Sequence, residues 1–176
     1  HLYLKSVTLP QPDPKVKPLD AAKSGVQLKS GDKIKGLVVT ISEGAARLSG
    51  AVVIGADNKP PETKMRVHLV PAEPEAAEDV LRYFETDVSA DGNFALTNLQ
   101  PGKYWLVARE TSDAEQAEID HKPLAWDSGA RTALRFEGEA SKKVIELSQC
   151  QLVSDHRLKY VPLTKPSKPA AKKTPQ

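Results

Sequence analysis

Hydrophobic positions recur with a period of two along most of the chain. Phe94 and Leu96 alternate with Ala95 and Thr97, and Tyr104, Leu106 and Ala108 alternate with Trp105, Val107 and Arg109. That is the period of a strand with one buried face. Asp91-Gly92 and Pro101-Gly102 punctuate the pattern. Proline presets a φ of about −65°, and glycine accepts the positive φ that a type II turn needs next. Residues 84–109 therefore read as three consecutive antiparallel strands joined by two tight hairpins.

The same period extends outward. Leu37, Val39 and Ile41 share one strand face; Leu48, Val52 and Ile54 precede the turn cluster at 55–58; Met65, Val67 and Leu69 are closed by Pro71. His68 is expected to face outward, because Val67 and Leu69 face in. Residues 1–9 read as a strand, and 10–18 as an extended linker, since four prolines cannot pair in a sheet interior. A turn is expected at Ser30-Gly31-Asp32, one helical turn over 74–81, and a short acidic helix over 113–121 capped by Asp113. Ala133–Phe136 and Val144–Leu147 read as a last hairpin through Glu137-Gly138-Glu139, and Leu158–Leu163 as a further strand. The predicted core is Phe94, Leu96, Tyr104, Leu106, Val67, Leu69, Ile145 and Leu147.

The string Thr86-Asp87, Asp91-Gly92, Phe94, Leu96, Leu99, Pro101-Gly102, Tyr104, Leu106, Ala108 resembles the T-D-x-x-G-x-F-x-L-x-x-L-x-P-G-x-Y-x-L-x-A signature of carboxypeptidase regulatory-like domains. It departs from that signature in placing three residues between Asp87 and Asp91. Weaker matches at Leu48–Val52 and Val67–Pro71 extend the resemblance over roughly residues 37–148. It implies an all-β fold: a two-sheet, antiparallel, Greek-key-like sandwich of the prealbumin (transthyretin-like) kind, with extended arms at both ends. It also implies export, to the extracellular space, cell surface or periplasm of a bacterium. The expected organisation is an N-terminal strand and Pro-rich linker over 1–34, a sandwich over 35–163 and a Lys/Pro-rich tail over 164–176.

Composition narrows the function. The chain has 176 residues, 39% hydrophobic and only 5% aromatic, so the core is aliphatic. A net charge of +2 argues against a strongly basic nucleic-acid-binding face. Glu73 to Asp120 nonetheless holds twelve acids against three bases, while Lys165, Lys168, Lys172 and Lys173 stand in a tail without acids. The single cysteine, Cys150, excludes an intrachain disulfide, and no apolar run is long enough for a membrane-spanning helix. A first residue His1 is the expected mark of a processed or truncated chain.

Catalytic constellations are absent. Metallocarboxypeptidase zinc sites begin H-x-x-E, but His68, His121 and His156 are followed by Pro71, Leu124 and Lys159, and His1 by Leu4. There is no H-E-x-x-H, nucleophile elbow, P-loop or G-x-G-x-x-G. Cys150 reads as a buried or inert thiol. Asp87, Asp91 and Asn93 are weak calcium candidates, with oxygens at alternating positions, but Phe94 and Ala95 follow where an EF-hand loop continues its ligands. Trp105 and Trp126 are interaction candidates, for a protein partner or for stacking on a sugar.

The expectation is a non-enzymatic, cofactor-free structural or interaction module, an accessory subunit or terminal domain of a larger bacterial surface or secreted assembly. Its partners are other protein subunits, including copies of itself, held through residues 1–18 and 164–176, the lysines facing an acidic surface. The competing readings are a carbohydrate-binding module using Trp105 and Trp126, and an accessory domain of a secreted hydrolase.

Overall fold

The structure, a computed structural model, describes residues 1–111 and 122–161. The helix expected at 113–121 and the lysine tail lie outside them. The described chain is mostly β, arranged in three sheets. Strands β1 (Leu2–Leu9), β2 (Leu19–Asp20) and β3 (Val38–Glu43) form one sheet in the order β2-β1-β3. Strands β4 (Ala46–Ile54), β7 (Asn93–Leu99) and β10 (Leu152–Tyr160) form a second, in the order β10-β4-β7. Strands β5 (Met65–Pro71), β6 (Phe84–Asp87), β8 (Gly102–Glu110) and β9 (Val144–Leu147) form a third, in the order β6-β5-β8-β9. Helix α1 (Ala21–Ser24) is a single turn, and α2 (Ser128–Ser141) is the one long helix among the described residues. Two 3-10 turns, Pro74–Ala76 and Val80–Arg82, stand where one helical turn was expected.

The second and third sheets face each other over the main core. Leu48, Val52, Phe94, Leu96 and Leu99 from one side meet Met65, Val67, Leu69, Tyr104, Leu106 and Leu147 from the other. All eight residues of the predicted core lie in this cluster, seven buried and Ile145 packed partly buried against it.

The strand pairing differs from the reading of residues 84–109 as a meander. β6 and β8 both flank β5, while β7 pairs with β4 in the opposite sheet. The turns at 89–93 and 100–102 therefore carry the chain between layers. Turn residues specify a reversal of direction; they do not specify whether the returning strand pairs with its predecessor or faces it across a core. The expected all-antiparallel pairing is also corrected, because β10 runs parallel to β4. Gly50 makes this possible, since a Cβ there would lie 1.9 Å from the His156 carbonyl oxygen.

The expected hairpin over 133–147 is replaced by α2. Asp127 caps the helix by accepting a hydrogen bond from the Ala130 N–H at 2.8 Å. Arg131, Leu134 and Gly138 recur at helical spacing on its buried side. That side covers the outer face of β5 and β8, where Val70, Trp105, Val107, Ala125 and Leu134 make a second apolar cluster. β5 is thus buried along its whole length, and His68 is only 4% exposed rather than outward-facing in solvent. Period-2 alternation reports two faces; it does not report that both are covered.

Candidate binding surfaces

The first surface is a cleft of about 450 Å³ on the side where β6 and β7 end their sheets. Three consecutive residues of each strand line it, Phe84 to Thr86 and Ala95 to Thr97. His68 Nδ1 lies 3.4 Å from Glu85 Oε2, and Arg66 Nη1 lies 3.7 Å from Glu85 Oε1. Glu85 also accepts from the Leu124 N–H at 3.3 Å. His68 is buried and Glu85 partly buried, and the carboxylate joins β5, β6 and the 3-10 turn Leu124–Trp126 through these contacts.

Trp126 stands at the rim, 59% exposed. Its backbone is clamped from behind. Arg131 Nη1 donates to the carbonyls of Ala125 at 3.0 Å and Trp126 at 3.5 Å, and Arg131 Nη2 is anchored on Glu78 at 2.6 Å. Tyr83, another lining residue, donates its hydroxyl to the Ala77 carbonyl at 2.7 Å, and burial raises its pKa. The cleft thus combines an exposed tryptophan whose backbone is held with polar lining residues.

The second surface is the β2-β1-β3 sheet. Val39 pairs with Val7 and Ile41 with Leu4, and directly opposed residues share a face. Leu2, Leu4, Val39 and Ile41 therefore lie on one face, and they are 38–59% exposed. β3 is an edge strand of that sheet. The sheet is tied to the body through its backbone carbonyls, with the Gly44 and Ala45 N–H groups donating to the His1 carbonyl at 3.0 and 3.2 Å and the Gln100 side-chain amide donating to the Leu4 carbonyl. Residues 1–9, expected as a strand, pair within the chain with β2 and β3.

The other residues singled out from sequence fall apart in space or change role. Trp105 is 9% exposed, covered by α2 and by the Arg135 guanidinium 5.3 Å from its ring centroid, so it offers no surface. Asp87 accepts from Arg66 Nε at 2.8 Å, while Asp91 accepts from the Asn93 side chain at 2.9 Å and supports its own turn. Hydrogen bonds there, its own backbone N–H first, hold the Asp91 carboxyl below its usual range. No cluster of three or more His, Cys, Asp and Glu able to hold a metal ion occurs among the described residues. Cys150 is exposed rather than buried, at a positive φ of 58°. Lys165, Lys168, Lys172 and Lys173 lie outside the described residues. No described helix is long and apolar enough to cross a membrane.

The His68–Glu85 pair was missed in the sequence because the two residues belong to different strands. The only signal was a charged residue, Glu85, one position from the signature's Thr86-Asp87. Comparison of the chain with protein-family models, curated proteins and solved structures finds no match.

Proposed function

We propose that the chain is a non-catalytic interaction module of an exported bacterial surface or secreted assembly, its body a prealbumin-like Greek-key sandwich. The passage of β6, β7 and β8 between opposite layers, with the signature residues Phe94, Leu96, Leu99, Tyr104 and Leu106 in one core, supports that fold. The observation that carries the function is the exposed apolar face of the β2-β1-β3 sheet. A sheet with one apolar face is half of a sandwich, and the missing half is a second sheet stacked about 10 Å away. The occupant is an apolar-faced β-layer supplied by a neighbouring domain or subunit. Burying each half-exposed Leu, Val or Ile contributes on the order of 1 kcal/mol.

The test is a Val39→Asp/Ile41→Asp double variant, co-purified with the assembly from its native source. Both side chains are more than half exposed, so the variant is expected to keep the wild-type melting temperature and to lose its partners. A double variant that still co-purifies at wild-type stoichiometry refutes the reading. Removing residues 164–176 alone separates the lysine tail's contribution from that of the sheet.

A further inference from the structure

We infer that the cleft beside Trp126 is a binding site for a neutral saccharide. This is independent of the N-terminal sheet, which shares no residue with it. Its size falls in the range of roughly 300–1,000 Å³ usual for small-molecule sites. A pyranose ring presents a C–H face, which needs a flat apolar partner, and a rim of hydroxyls, each of which needs hydrogen-bond partners. The cleft supplies both. Trp126 is the platform, and His68, Glu85, Thr86 and Thr97 are the polar residues among those that line the cleft. Glu85 Oε2 lies 3.4 Å from Nδ1 of His68, which leaves Nε2 as the ring nitrogen not engaged by that carboxylate.

Rigidity distinguishes this tryptophan from an incidentally exposed one. Its carbonyl and that of Ala125 are held by Arg131, itself pinned by Glu78, and its N–H donates to the Pro123 carbonyl at 3.0 Å. A platform whose backbone is fixed before binding loses little entropy on binding. The charge of the ligand follows from the lining. Among the described lining residues none is Lys or Arg, and Glu85 is an acid, so a sugar carboxylate finds no counter-charge there. A wholly apolar ligand fits no better, because it would strip water from His68 and the threonines and return nothing.

The experiment titrates the full chain with cellobiose, xylobiose, chitobiose and lactose, with digalacturonate as the anionic comparison, following tryptophan emission and calorimetric heat. Trp105 is buried and Trp126 exposed, so a ligand-dependent emission change reports the cleft. A saturable response to at least one neutral disaccharide is expected. Trp126→Ala should weaken it about tenfold or more, a factor corresponding to 1.4 kcal/mol. Thr97→Val should weaken it by a smaller factor, with both variants melting as wild type. The proposal is overturned if no neutral disaccharide gives a saturable response at tens of millimolar. It is equally overturned if Trp126→Ala binds like wild type, or if digalacturonate binds more tightly than every neutral sugar.

Discussion

Gly138 of α2 stands directly on Trp105 of β8. A Cβ at Gly138 would lie 2.8 Å from Trp105 Cβ and 2.9 Å from its Cε3, inside any real contact distance. The close approach lets the helix seat on the sheet and leaves Trp105 covered. Two effects oppose each other at this position. Alanine in a helix interior is favoured over glycine by about 1 kcal/mol, whereas overpacking costs about 1–3 kcal/mol. The obstructing atoms are a Cβ and a ring rather than a flexible chain end, so the clash wins. Gly138→Ala is expected to lower stability in chemical denaturation; a stabilised variant would show that α2 does not sit where described.

Gly102 opens β8 with a φ of 151°, and a Cβ there would lie 2.0 Å from Arg82 Nη2. Arg82 cannot simply withdraw. It donates to Glu73 at 2.8 Å and to the Tyr104 hydroxyl at 2.8 Å, and that hydroxyl donates to the Gln100 carbonyl at 2.8 Å. Burial pushes the Tyr104 phenol up to about 12 even with Arg82 beside it. Gly102→Val is therefore expected to cost about 1–3 kcal/mol through backbone strain and this displaced network. Thermal melting at the wild-type temperature would contradict it.

Phe94 and Phe136 make a matched pair. Phe94 is 4% exposed at the centre of the main core, and Phe136 is 76% exposed on α2. Phe94→Ala should cost about 3–5 kcal/mol, from lost burial and the cavity left behind. Phe136→Ala should stay within about 0.5 kcal/mol of wild type. Equal effects in urea titrations would mean that the helix, not a hairpin, is the wrong assignment for residues 128–141.

His156 on β10 has its pKa lowered from 6.5 by burial first and by Lys143 second. The folded protein then binds the proton less readily than the unfolded chain does. This group's contribution to stability is complete above 6.5 and is lost as pH falls from there through the lowered folded value. His156→Gln should flatten the fall in melting temperature between neutral pH and about pH 5. An unchanged pH profile would show that His156 is as accessible folded as unfolded.

Much of the body was legible because strand cores are written locally. Phe94, Leu96, Tyr104 and Leu106 announce their buried faces by alternation alone, and the structure buries all four. Turn residues likewise marked where the chain reverses. Helix α2 was not legible as such, since Ala133, Leu134 and Phe136 fit a short strand, and Gly138 with its acidic neighbours fits a turn. Its identity rests on the Asp127 cap and on a buried stripe that exists only once β5 and β8 are there to receive it.

By itself, the sequence determined that the chain is β-rich, which residues point into its main core and where the backbone turns, because periodicity and φ preference act over a few residues. The tertiary structure decided what each strand pairs with and what covers its second face, because pairing and coverage join residues far apart in the chain. It buried His68 and Trp105, exposed Leu4, Val39 and Ile41, and brought Glu85 to His68 in the cleft that Trp126 also lines. Alternation looks the same whether the second face meets water, a helix or another sheet. Which of these a face meets is a property of the assembled layers.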